Sequence, residues 1–136
     1  LAAMGTVRAP AGRFSIGRFG DNRARLLLAK NPAGWAESLL VMASDPVVLA
    51  IDSAIADGTD VSWLWDVEFE RLAGRHVICT GPRAQDLAVR LSYAEVDHEV
   101  VDSLREAMAR PYEGTVDVLA TYTAFLNLCK MGGVEW

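Results

Sequence analysis

Pro46-Val47-Val48-Leu49-Ala50-Ile51 is apolar from end to end. A short run with no polar alternation is the mark of a strand buried on both faces, as in a parallel sheet. His76–Thr80 (HVICT) is a second such run and stops at the turn-forming pair Gly81-Pro82. Arg23–Ala29 (RARLLLA), bounded by Gly20-Asp21-Asn22, is a third strand, and Val116–Ala120 a fourth. Glu99–Val101 makes a short additional strand.

Between these runs the pattern turns helical. Pro32 suits the first position of a helix after Asn31, and Trp35, Leu39, Leu40 and Met42 supply its apolar face until Ser44-Asp45-Pro46. Ala84–Leu91 follows the HVICT strand, with Leu87 and Leu91 four residues apart. Ser103 caps a helix to about Arg110, with Glu106 completing a capping box, and Thr123–Lys130 is the last helix. Alternating strands and helices make this an α/β chain: one Rossmann-like domain, a mainly parallel sheet with helices on both faces. Val7–Phe19 reads as a lead-in or antiparallel edge hairpin. The expected organisation is therefore residues 1–22 as lead-in from a preceding domain and 23–136 as the α/β domain.

A chain of 136 residues has room for one such domain, and its 51% apolar and 23% charged content is that of a globular protein. The net charge of −5, with basic residues dispersed, argues against nucleic-acid binding. No apolar run is long enough to span a bilayer. The start, Leu1-Ala2-Ala3-Met4, lacks signal-peptide features and reads as the cut end of a longer chain. Cys79 and Cys129, far apart in apolar segments, are most simply buried free thiols.

Open α/β sheets bind ligands beyond the carboxyl ends of their strands. The loops expected there are Lys30–Gly34, Asp52–Trp65, Gly81–Arg83 and Thr121–Ala124. Lys30 and Asn31 sit where a helix N-terminus offers donors to an anion, although Asn-Pro is also simply a good turn. Asp52–Asp66 carries several carboxylates, Asp57 and Asp60 among them, with Trp63 and Trp65. Carboxylates there can orient a histidine or position an amine, and the tryptophans suggest a core anchor or a protein interface. Asp57 and Asp60 beside Gly58 can equally be turn formers. Arg83 at a helix start opposes the helix dipole unless an anion binds there. Thr121, Tyr122 and Thr123 can hold a carboxylate by hydrogen bonds or serve as helix caps. There is no G-x-x-x-x-G-K-[ST], G-x-G-x-x-G or H-E-x-x-H motif.

These segments together resemble the C-terminal domain of the MurT family, the Mur-ligase-like subunit of lipid II isoglutaminyl synthase. The resemblance rests on Leu28–Gly34 (LAKNPAG), Ala56–Glu70 (ADGTDVSWLWDVEFE), Thr80–Ala84 (TGPRA), Arg90–Ala94 (RLSYA) and Thr121–Ala124 (TYTA). It implies a bacterial, cytoplasmic ligase of peptidoglycan and cell-wall synthesis, acting at the inner face of the plasma membrane and so bearing on cell shape. Using ATP and Mg2+, bound mainly outside this chain, the full subunit would activate the α-carboxylate of the D-glutamate in lipid II as an acyl phosphate. Ammonia would then give D-isoglutamine. The ammonia would come from a GatD-like glutaminase partner, whose Cys and His work with an acid from this domain, either Asp57 or Asp60. Lys30 and Asn31 would lie near the phosphates or the acceptor, Thr121–Thr123 near the acceptor carboxylate, and the isolated domain would be inactive. One departure stands out: amino-acid-adding Mur ligases carry an acidic residue before the Asn-Pro turn, whereas Leu26–Leu28 are apolar. The alternatives are an amino-acid-adding Mur or folylpolyglutamate-type ligase domain, and a non-catalytic module that docks through Asp52–Trp65.

Overall fold

The computed structural model describes residues 14–54 and 57–134. Residues 7–13 of the expected lead-in lie outside the described residues, as do Ile55 and Ala56. The strands are β1 (Phe14–Phe19), β2 (Asn22–Leu28), β3 (Val47–Ala50), β4 (Val77–Thr80), β5 (His98–Val100) and β6 (Thr115–Ala120). The helices are α1 (Pro32–Val41), α2 (Ala84–Tyr93), α3 (Leu104–Ala109) and α4 (Tyr122–Met131), and two 3₁₀ turns occupy Ser62–Asp66 and Phe69–Leu72.

One six-stranded sheet runs β1-β2-β6-β3-β4-β5. Among the described strands only β1 is antiparallel, folding back on β2 from Phe14 opposite Leu27 to Phe19 opposite Asn22. The neighbours β2–β6, β6–β3, β3–β4 and β4–β5 are all parallel. Every residue of β3 and β4 is buried, as a strand covered on both faces requires. Successive side chains go to opposite layers. Val47, Leu49 and Ile51 join Trp35, Leu39, Phe69, Leu87 and Leu91 beneath α1, α2 and the 3₁₀ turns. Val48 and Ala50 join Met108, Ala124, Phe125 and Leu128 beneath α3 and α4.

The helix starts follow local chemistry. Asn31 caps α1 by accepting from Gly34 N at 2.8 Å, with Pro32 in the first turn. Ser103 caps α3 by accepting from Glu106 N at 3.0 Å. One expected core position is overturned: Leu40 is 66% exposed. Five residues beyond Trp35 it lies about 140° around the helix, off the face that Trp35, Leu39 and Met42 bury. The short strand also sits one residue earlier than expected, at His98–Val100.

At the sheet edge His76 bridges two acids, with Nδ1 2.6 Å from Asp97 and Nε2 2.7 Å from Glu99. Arg110 holds the same Glu99 at 2.8 Å. Burial of the ring works against its charge, but Glu99 and Asp97 outweigh it and raise His76 above the ordinary histidine value. A raised folded value stabilises fully below the unfolded pKa of about 6.5, and that contribution fades as pH climbs through the folded value. Urea unfolding from pH 6 to 9 should therefore show a fall in stability that His76→Gln removes. Equal slopes in the two proteins would refute the clasp.

Candidate functional site

The carboxyl ends of β2, β3 and β6 meet at one rim. Connections leave β2 and β3 toward the α1 layer, whereas β6 leaves toward α4, so a crevice opens where β6 divides them. Backbone bonds tie the rim together: Ala29 N to Ala120 O, Thr121 N to Ala50 O and Ile51 N to Thr80 O. Asp52 N donates to Thr121 Oγ1 at 2.8 Å. The crevice holds a cleft of about 50 Å³ lined by Ala29, Lys30, Asp57, Trp63, Thr121 and Tyr122. Five of these six residues are ones the sequence singled out. A larger open hollow of about 620 Å³ lies at the other end of the sheet, between Arg18–Asn22 and Arg105–Tyr112. None of the residues singled out for function lines it, so size is a poor guide here.

The two acids of the loop have different surroundings. Asp57 turns inward: Oδ1 accepts from Thr123 N at 2.8 Å, so it caps α4 from a distant loop, and Oδ2 is buried. The capping role offered to Thr121 or Thr123 therefore goes to Asp57, and the Thr121 side chain makes no cap bond. Asp60 is exposed, its oxygens accepting from Ser62 N at 2.9 Å and Ser62 Oγ at 3.1 Å. Those bonds, the backbone one first, hold its carboxyl below the usual range, with the Arg83 charge adding to them.

Arg83 stands at the start of α2, and the anion that its position calls for is internal. Asp86 in the same first turn takes Arg83 Nε at 2.7 Å, while Nη1 reaches Ser53 Oγ at 3.3 Å. Three residues separate Arg83 from Asp86, so that pairing was readable from the sequence. Lys30 extends over the Tyr122 ring, with Nζ 5.3 Å from its centroid. The Asn31 side chain is spent on its cap.

The tryptophans divide as well. Trp63 packs 5.3 Å from the fully buried Trp35 and closes one wall of the cleft. Trp65 is 51% exposed and meets the exposed Tyr93 edge to face at 5.2 Å. Behind Trp65 lies Arg90, which sequence reasoning did not single out for any role. It donates to Leu64 O, Val67 O and Glu70, and stacks on Trp65 and Phe69. No local pattern marks it, because its partners lie 20 to 26 residues away.

Gly81 closes β4 with φ +93°, and a Cβ there would stand 2.5 Å from Ile51 O. Gly81→Ala should cost about 3 kcal/mol through strain and displaced rim backbone, read as a lowered urea midpoint. A loss below about 1 kcal/mol would mean the rim is softer than its bonds imply. Cys79 and Cys129 are buried, and burial pushes their thiols up to about 12 and about 11, which leaves both without nucleophilic character.

A family model described as MurT ligase C-terminal matches residues 28–125, most of the chain and all of the rim. This chain belongs to that family. Its curated relatives include the lipid II isoglutaminyl synthase (glutamine-hydrolyzing) subunit MurT of Staphylococcus aureus strains COL and N315. Each is 33% identical over 130 residues, covering 88% of this chain and 30% of the relative. The subunit of the same name from Streptococcus pneumoniae is 31% identical over 137 residues, covering 91% and 31%. The chain thus spans less than a third of the length of these MurT subunits. The α/β sheet with its rim cleft is the form the MurT C-terminal family takes here.

Proposed function

We propose that this chain is the C-terminal domain of a ligase subunit that amidates the D-glutamate of lipid II, in concert with a glutaminase subunit. Family membership supports the ligase class, and the printed names of the relatives support lipid II and glutamine. The single observation that carries the mechanism is Asp60, an exposed carboxylate at the ligand-facing rim, held in place by Ser62.

An acid lent to another polypeptide must be reachable. Asp57 is committed to α4 and its second oxygen is sealed, so we assign the role to Asp60. Its two Ser62 bonds fix its direction and keep it charged. A charged, oriented carboxylate sets the tautomer of a partner's imidazole and stabilises the imidazolium formed when a thiol is deprotonated. The exposed pair Trp65–Tyr93, on the same stretch of chain and on α2, is the surface we assign to docking that partner.

ATP, with Mg2+, supplies activation of the carboxylate when bound, mainly on the part of the relatives' length beyond this chain. Lys30, exposed at the rim beside the α1 N-terminus, is the cation this domain brings to anionic substrate. Tyr122 and Thr121 line the same cleft. This chemistry fits the cytoplasmic face of a bacterial membrane, where lipid II is assembled. The test is the full subunit mixed with its glutaminase partner, comparing glutamine-driven with ammonium-driven amidation for Asp60→Asn. Undiminished glutamine hydrolysis would dismiss the assignment.

A further inference from the structure

The sheet has an open edge at β1. Among the described residues no strand lies outside it. Arg18 N donates away from β2, to Gly132 O at 3.1 Å. In an antiparallel pair alternate residues turn both backbone groups to the same side, so Phe14 and Ile16 also point theirs outward. No described residue takes up the Ile16 N–H. Gly132 therefore closes the edge at Arg18 and leaves it open at Phe14 and Ile16. Native proteins blunt or cover such an edge, because it is a template for another strand.

The side chains beside this edge call for cover as well. Phe14, Ile16 and Arg18 project from the face that carries α1, since Phe14 packs against the core beneath that helix. Ile16 lies opposite Arg25, whose guanidinium reaches Val41 O at 2.6 Å and stands 5.8 Å from the centre of the Phe14 ring. The end of α1 is thus beside the strand, and Ile16, Leu40 and Val41 are all exposed there. Arg18 and Arg23 stand directly opposite each other on the same face. Like charges opposed across a strand pair repel. Asp117 answers Arg25, but among the described residues no acid pairs with Arg18 or Arg23. Unpaired main-chain groups, an apolar strip and two uncompensated cations share one surface.

We propose that the open edge of β1 receives an extended segment from the part of the full subunit that precedes this domain. That segment sets an acid against Arg18 and Arg23 and an apolar side chain over Ile16 and Val41. Length favours this occupant: the MurT relatives keep more than two thirds of their residues outside the matched stretch, and the matching family is a C-terminal one. Residues 1–13 contain no acid, so the segment comes from further ahead. Covalent attachment gives such a segment an effective concentration of about millimolar, enough to fill a surface of few contacts. A second copy of this chain fits less well, because β1 (FSIGRF) brings no acid to the arginines. The assignment rests on the edge and on family membership, and is independent of the amidating activity proposed above.

The experiment uses the full-length subunit. Hydrogen exchange at the Ile16 amide should be slower than the unprotected chain rate by about a hundredfold or more, the mark of a paired edge. Benzoylphenylalanine placed at Leu40 should photo-crosslink to an acid-bearing peptide from ahead of this domain. Ile16→Pro removes the outward N–H, a change that an edge strand tolerates, and should raise chymotryptic cleavage ahead of Phe14 about tenfold. Arg18→Glu, at a side chain with no bond among the described residues, should raise that cleavage about threefold and keeps the test decisive if Ile16→Pro does not fold. Exchange of the Ile16 amide near the unprotected rate, or unchanged cleavage in the folded variants, would overturn the proposal. So would crosslinks confined to residues 1–13, or crosslinks to a second copy accompanied by a doubled mass in sedimentation.

Discussion

Glutamine-driven amidation by the full complex is expected to fall about 10³- to 10⁴-fold when Asp60 becomes asparagine, as when the acid of a nucleophile–His–acid triad is neutralised. Asparagine is the informative replacement because its side-chain oxygen can still accept from Ser62 N, the 2.9 Å bond that shapes the loop. What disappears is the charge that holds the partner's imidazole in one tautomer. Ser62→Ala should act in the same direction but by only about tenfold, since it removes the 3.1 Å hydroxyl bond and spares the carboxylate. Ammonium-driven amidation is the second measurement. A variant losing both activities has lost more than an acid, and the assignment would then stand without support. Undiminished release of glutamate would remove Asp60 from the mechanism.

Arg90→Ala should be the most destabilising of the substitutions considered, by about 4 kcal/mol, which for a domain of this size is about 10–15 °C in Tm. The Arg90 side chain is only 7% exposed. Truncation strips Leu64 O of its 3.0 Å donor and Val67 O of its 2.7 Å donor, at about 1–3 kcal/mol for each buried carbonyl left unpaired. The stacking on Trp65 and Phe69 contributes about 1 kcal/mol more. The Glu70 pair adds little, because that carboxylate is 57% exposed and screened by water. Arg90→Lys should recover at most about half, since an ammonium cannot fork between two carbonyls and a carboxylate. Urea unfolding followed by tryptophan fluorescence measures both variants. A loss under about 1 kcal/mol for alanine would show that the 3₁₀ segment holds itself without the clamp.

The two experiments are linked through one stretch of chain. Asp60 lies just before Ser62–Asp66, and Arg90 fastens that turn and the next to α2. The first 3₁₀ turn has no side-chain cap of its own. A segment with so little local order depends on a distant clamp to keep its carboxylate in place. Arg90→Ala should therefore depress glutamine-driven amidation even at temperatures where the domain stays folded.

Much of this protein was already written in local sequence. The apolar runs Pro46–Ile51 and His76–Thr80 became β3 and β4, and Asn31-Pro32 and Ser103 start helices where cap chemistry says they should. Such signals are legible because period, caps and turns act within a few residues. They also sent Lys30, Asp57, Trp63, Thr121 and Tyr122 to one rim, since a parallel α/β order fixes which end of each strand its following loop occupies. Only the tertiary structure separated Asp57 from Asp60, two acids three residues apart in one loop. One faces inward to cap α4, sixty-six residues further on, and the other faces water. The same holds for Trp63 against Trp65, for Leu40, and for Arg90. Each was settled by partners far along the chain, because burial and hydrogen bonding depend on distance in space, which spacing in sequence does not encode.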